Sequence, residues 1–390
     1  GRRGVGGGMR PRGRRALGPT PAIDHYRVEA PGLLTVGSGA VLWDIRDFAA
    51  AGGWQLPVYN GGWAGPSLGG FVSAGGLGLR VPAHARGQDA PPGDVAAAAT
   101  LSPVSLSERH GGLWAQVARL TVIDGLGKVH GIPAGDPDFP WMFASMGQFG
   151  LILEATLRLL PLPGATDGLP AGSTGRVPAS NPDHPGETDL PAPAHGIDWV
   201  YWFTALAPLA EEVAAWKVIG DWSAAHRRAL HPTGGWAGPL QDGEPIGFRY
   251  VVRRKAPTPP LLYPRDKDFV AVGVMAVCHG IGTDQAEVAL TEAEQDFVSR
   301  IVGGGWALYC QAENLTRSLD FRSYLGSDRW AKFRALKTRF DPDERVNAGE
   351  VLPDSRGAPM RASRARKLAA AIRRSLGLPL PTAAPPSSDP

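Results

Sequence analysis

Pro66-Ser67-Leu68-Gly69-Gly70-Phe71-Val72-Ser73-Ala74-Gly75-Gly76-Leu77-Gly78 holds five glycines and two serines in thirteen positions. Glycine pairs beside Ser67 and Ser73 suit a backbone that lies flat against a large planar or phosphorylated ligand. Glycine permits close approach, and its free amide N–H groups can face phosphate oxygens or ring carbonyls. The same composition suits a tight turn in a glycine-rich chain, since 52 of the 390 residues are glycine. The neighbouring segments have to decide between the two.

A chain of 390 residues with 43% hydrophobic composition can bury a sizeable core, and its length suggests two domains. The net charge of +3 is concentrated at the ends, in Arg2, Arg3, Arg10, Arg12, Arg14 and Arg15 and in a second basic run from Arg361 to Arg374. Basic tails without aromatic interleaving or zinc spacing do not point to nucleic acid. Neither a metal site nor a nucleic-acid partner is expected. Cys278 and Cys310 cannot build a disulfide framework and are expected to stay free. No run approaches the roughly 18 apolar residues of a membrane span. The opening Gly-Arg-Arg-Gly lacks an initiator Met and a following apolar segment, so no signal peptide is expected and the location is read as cytoplasmic.

Residues 33–39 read as a buried strand ending in a turn, and 41–51 as a helix with Leu42, Ile45, Phe48 and Ala49 on one face. Residues 120–124 and 128–132 flank Gly125-Leu126-Gly127 and predict a hairpin. A short helix over 141–146 and a strand over 151–160 follow. Two stretches break this order. Residues 80–106 and 161–196 are rich in Pro and Gly and read as a disordered insertion and a linker, because they cannot bury enough apolar surface to offset ordering entropy. Beyond them, strands are predicted at 198–204, 246–252, 269–278 and 306–313, and helices at 209–226 and 291–302. A sheet carrying helices on one side is an α+β layer. The last residues, 353–390, read as a basic helix and tail.

Two further segments stand out: residues 139–152, with Gly147-Gln148-Phe149-Gly150-Leu151-Ile152, and residues 330–349, with Trp330, Phe333, Lys337, Phe340-Asp341-Pro342 and Asn347-Ala348-Gly349. Each alone also suits an ordinary helix end, at Gly147 or at the Asp-Pro turn. In this order, and with Arg109-His110-Gly111 between them, the three segments resemble the FAD-linked oxidase family that includes vanillyl-alcohol oxidase and cytokinin dehydrogenase. The resemblance covers about residues 1–160 and 300–352. It implies a two-lobed PCMH-type FAD-binding domain over 1–160, joined by the linker 161–196 to a substrate domain over 197–335 with an antiparallel sheet covered by helices. Residues 336–352 would return to the flavin domain. Its pyrophosphate loop is best matched by Arg3, Gly4, Gly6 and Gly8, so the chain is expected to begin there, without the family's preceding strand–helix unit.

The resemblance implies FAD contacts at Pro66, Ser67, Gly69, Gly70, Ser73, Gly75, Gly76, Gly147, Gly150, Leu151, Ile152 and Asn347. Some members carry a histidine for covalent attachment where this chain has Gly7, and no cysteine precedes Cys278; FAD is therefore expected to bind non-covalently. The implied activity is an FAD-dependent oxidoreductase that takes a hydride from a small alcohol, amine or hydroxy acid, with oxygen or a carrier as electron acceptor. A double-bond reductase on the same scaffold and a truncated module without activity remain open. Among chemically capable strand residues (Tyr201, Arg249, His279, Tyr309 and Glu313), Tyr309 and Glu313 lie at i and i+4. They would share one strand face and are the candidate catalytic pair. A Tyr packed in the core and a Glu in water fit those two positions as well.

Overall fold

A computed structural model describes residues 23–59, 66–78, 106–164, 169–178, 199–226, 246–278, 284–310 and 319–346, and the statements below concern these. The architecture is mixed α and β with antiparallel sheets, in agreement with the expected α+β class. The first sheet is built from β1 (His25–Ala30), β2 (Leu33–Gly37), β4 (Val117–Ile123), β5 (Val129–Pro133), β6 (Leu151–Arg158) and β8 (Thr174–Arg176), in the order β5-β4-β6-β2-β1-β8. A two-stranded ribbon, β3 (Trp54–Gln55) with β7 (Leu160–Pro161), lies beside it.

Alternation assigns the faces of this sheet. Leu34, Val36, Leu120, Ala155 and Leu157 are buried on one side, where α2 (Leu68–Ala74) packs on β6. Helix α1 (Leu42–Ala51) buries Leu42, Ile45 and Ala49, and its Phe48 meets Tyr26 of β1 at 4.3 Å between rings. The opposite face is polar: Thr35 and Thr156 share a hydrogen bond of 2.8 Å, and His25 meets Glu154 at 2.6 Å. The predicted hairpin is present as β4 and β5, in register from Arg119↔Pro133 to Ile123↔Val129.

The second sheet has the order β10-β11-β9-β12, from β9 (Trp199–Pro208), β10 (Ile246–Val252), β11 (Phe269–Cys278) and β12 (Ala307–Leu308). Helices α5 (Glu212–Ala225) and α6 (Asp284–Gly303) cover one face of it. Phe203 of β9 reaches Trp222 of α5 at 4.6 Å and Phe297 of α6 at 5.4 Å, which fixes that face. Both sheets feed one contiguous apolar core. Two short helices, α3 (Leu106–His110) and α4 (Phe139–Met142), and the long α7 (Phe321–Phe340) complete the set, α7 bending at Gly326.

Four expectations change. The helix expected over 141–146 stops at Met142, because Ala144, Met146 and Gly147 take positive φ values of 56°, 50° and 70°. Of the strand expected over 306–313, the described residues form strand at Ala307–Leu308, paired with β9, and residues 311–313 lie outside the described residues. The helix expected from 291 starts earlier, at Asp284. Within 161–196, read as a linker, β8 is an edge strand pairing with β1; composition does not show that a Pro/Gly-rich stretch has a strand to lean on. The insertion 80–105 and residues 347–390 lie outside the described residues. Phe203 is fully buried between sheet and helices, so Phe203→Ala is expected to cost about 3–5 kcal/mol, read as a lowered midpoint in urea denaturation.

Candidate functional site

The glycine-rich segment is a helix, not an extended strip. Ser67 caps α2, its hydroxyl accepting from Gly70 N at 3.3 Å, and the helix closes at Gly75 with φ 118°. Glycine in a helix costs about 1 kcal/mol relative to alanine. Here the turn at residues 38–40 offsets that cost: Leu68 N donates to Ala40 O at 2.9 Å and Gly69 N to Ser38 O at 2.9 Å. The first amides of α2, expected to be free for phosphate, are therefore engaged by protein. Gly69 is small for a related reason, since a Cβ there would stand 2.8 Å from the Ser38 Cβ. Pro66 likewise serves the fold, its carbonyl accepting from Leu42 N at 3.1 Å.

Leu68, Phe71 and Val72 point into the core, while Ser67, Gly69, Gly70, Ser73 and Ala74 are half-buried on the outward side. That face carries nothing longer than a hydroxymethyl group. It is flat.

The second segment docks on the end of this helix. Ala144 N donates to Val72 O at 3.3 Å and Met146 N to Ser73 O at 2.9 Å, which ties the left-handed run 144–147 to the last turn of α2. Ser145 Oγ donates to Met142 O at 2.9 Å within that run. Gly150 then turns the chain into β6, where Leu151 and Ile152 pair with Ile123 and Val122. Gly76 O accepts from Leu113 N at 2.8 Å, bringing the segment after Arg109-His110-Gly111 alongside. Desolvation, then Arg109 and Lys255, lower the His110 pKa below its ordinary value.

The third segment clamps the second. Phe333 and Phe340 of α7 meet Phe149 at 5.2 and 6.5 Å between rings. Asp138 accepts from Lys332 at 3.0 Å and from Arg339. Lys337 is only 4% exposed and Asp341 1%. Lys337 Nζ donates to Asp341 Oδ2 at 2.6 Å, Val346 O at 2.7 Å and Gln148 O at 2.8 Å. The carboxylate of Asp341 accepts in turn from Arg345 N and Val346 N, at 2.8 and 2.9 Å. Burial lowers the Lys337 pKa, and the Asp341 hydrogen bond opposes that shift. Gly125, at the hairpin tip, donates to Phe340 O at 2.8 Å, and a Cβ on it would overlap the Asp341 carboxylate.

Tyr309 lies where the second sheet meets the glycine segment. Its N donates to Thr204 O at 3.0 Å, so it continues the β12 register opposite Thr204, on the face away from α5 and α6. A Cβ on Gly75 would stand 3.2 Å from Tyr309 Cε2 and 2.9 Å from Leu262 Cδ1. Tyr309 is 1% exposed, and burial raises its pKa far above the usual value, a hydrogen bond with the Leu77 backbone countering slightly. It is a protonated phenol rather than a resting base. Beside it Thr204 Oγ1, fully buried, has no hydrogen-bond partner among the described residues. Burial pushes the neighbouring Cys310 thiol up to about 12.

Arg249 is turned away from this face, bound to Glu212 at the start of α5. Glu313, Asn347, His279, Arg3, Gly4, Gly6 and Gly8, and the side chain of Tyr201, lie outside the described residues. Lys337 was legible only as part of a motif. The signal that would have found its role is the Lys-x-x-x-Asp spacing beside Phe333, Leu336 and Phe340, which turns the ammonium inward. Among the described residues no group of three His, Cys, Asp or Glu is placed to hold a metal, and no helix is long and apolar enough to cross a membrane. Comparison with protein-family models and with curated proteins finds no match.

Gly125→Ala is expected to destabilise by about 1–3 kcal/mol in thermal melts, through overpacking against Asp341, while Gly131→Ala, with open space around it, changes stability by less than about 0.5 kcal/mol. Desolvation pushes Asp138 up, but its bonds to Arg339 and Lys332 outweigh this and hold it below the ordinary 3.8. A depressed carboxylate stabilises fully above its unfolded pKa and loses that contribution as pH falls through the folded one. The stability gap between wild type and Asp138→Asn should thus be widest near neutrality and shrink below pH 3.8. A gap constant from neutral pH down to pH 2 (about two units below) would show that these bonds do not act in the folded state.

Proposed function

We propose that this chain is an FAD-dependent oxidoreductase of the PCMH-type scaffold, acting on a small alcohol, amine or hydroxy acid with oxygen or a carrier as electron acceptor. One observation carries the reading. The segments 66–78, 139–152 and 330–346, whose order forms the resemblance to FAD-linked oxidases, pack on one another through main-chain hydrogen bonds and the buried Lys337.

The outward face of α2 fits the group. Ser67, Gly70, Ser73 and Ala74 present small side chains to a broad planar ring, while Gly69 is small so as to pack on Ser38. The amides of α2 are already engaged, so in this reading pyrophosphate donors come from Arg3, Gly4, Gly6 and Gly8. Gly75, Gly76, 147–152 and Asn347 complete the cofactor side. With Gly7 in place of a histidine and no cysteine before Cys278, attachment is non-covalent. Bound FAD supplies a two-electron acceptor. Tyr309, held protonated, closes the end of the glycine segment and serves to position rather than to take a proton. Glu313, four residues on, is the acid–base candidate of this proposal. The engaged amides of α2 favour a second reading, a chain of the same scaffold that no longer binds FAD.

The purified protein is expected to be yellow, with both visible flavin bands, and acid precipitation should leave all colour in the supernatant. Gly70→Val should remove the colour while leaving the circular dichroism spectrum unchanged, since its Cβ meets only the Ser67 hydroxyl and the branched side chain covers the open face. A wild type that is colourless after incubation with excess FAD and removal of the unbound flavin by gel filtration sinks the cofactor reading, and colour kept in the acid pellet sinks the non-covalent one.

A further inference from the structure

We infer that Lys337 is a positioning residue that sets the backbone of 144–150, the segment that the proposed cofactor site shares with α2; the cofactor clause rests on the function proposed above. The ammonium group has three N–H donors, and all three are spent: on Asp341, Val346 and Gln148. Two of those acceptors are main-chain carbonyls outside its own helix. A lysine whose role was to pair a charge would need Asp341 alone. This one instead fixes where two loops sit.

The loop it reaches needs holding. Ala144 and Met146 are non-glycine residues in the left-handed region, which costs on the order of 1–2 kcal/mol each. Their amides bind α2 from one side, at Val72 O and Ser73 O, and Gln148 N closes onto Ser145 O at 3.0 Å. The Lys337 bond to Gln148 O holds the far end of the run from the other side. Without it, 144–150 keeps its α2 bonds and the packing of Phe149 but loses a direct main-chain tie to α7. Val346, the third anchor, is the residue before Asn347, so one side chain registers both loops that the proposed cofactor site uses.

The test uses the full chain. Lys337→Met alone would strand Asp341 in the core, so the working variant is Lys337→Met/Asp341→Asn, which removes both charges and keeps one of the two oxygens that the Arg345 and Val346 amides use. Amide hydrogen exchange is read by segment, and FAD affinity by titration of the apoprotein. In the double variant, exchange over 144–150 should quicken about tenfold or more while the 117–133 hairpin keeps its wild-type rate, and the FAD Kd should rise about tenfold. Asp341→Asn alone leaves the lysine charge without its carboxylate but still within reach of Gln148 O and Val346 O, so it should lower global stability while 144–150 stays in step with the 117–133 hairpin. Wild-type exchange over 144–150 in the double variant overturns the inference, as does loosening of 144–150 ahead of the hairpin in Asp341→Asn. A double variant that fails to fold also overturns it, since Lys337 would then be a purely structural residue. An unchanged FAD Kd with a loosened loop overturns the cofactor clause. A wild type that binds no FAD defeats the proposed function separately, and the exchange measurement still decides whether Lys337 sets the loop.

Discussion

The buried Lys337–Asp341 pair is the contact on which the arrangement of the three motif segments depends. Taking an ammonium and a carboxylate out of water costs several kcal/mol per ion, and their mutual attraction alone does not reliably return it. What makes the pair viable here is that every donor and acceptor is used: three acceptors around Nζ and two amides on the carboxylate. Loss of either partner would leave a lone charge in the core, at a cost of about 3–5 kcal/mol. The close approach of Gly125 to the same carboxylate extends the constraint to the β4–β5 hairpin. Four stretches of chain are thus held by one ion pair.

That constraint bears on strained backbone in the second motif segment. The left-handed Ala144 and Met146 cost together about 2–4 kcal/mol, and each hydrogen bond that fixes them returns about 1 kcal/mol. The balance is close to even before packing is counted. Phe149, tilted against Phe333 and Phe340 and fully buried, supplies the remaining favourable contribution through apolar burial. The strain persists because α2 on one side and α7 on the other over-determine it.

Much of the fold was legible because its signals are local. The alternation in β2 and β6, the Gly125-Leu126-Gly127 turn, the apolar run of β9 and the i, i+3, i+4 face of α1 all announce themselves within a dozen residues. What failed was long-range. Nothing near residue 144 foretells that its amide will bind Val72, so the helix was extended four residues too far. Glycine pairs at 69–70 and 75–76 argued against a helix, and the docking of the turn at 38–40 overrode them. The burial of Tyr309 and its raised pKa are properties of the assembled core, which no local pattern around residue 309 announces. The candidate site was readable as a set of segments and not as a set of roles.

The six-stranded sheet also ends in a particular way. Its outer strands are β5, which finishes at Pro133, and β8, three residues long with exposed side chains and Arg176 paired to Asp24. Unpaired strand borders are templates for another chain's backbone, and natural sheets blunt them with prolines, charges and brevity. Both borders of this sheet are blunted in that manner. A chain so rich in glycine and in β-forming runs thereby carries, at both described borders of this sheet, features that work against edge-to-edge polymerisation.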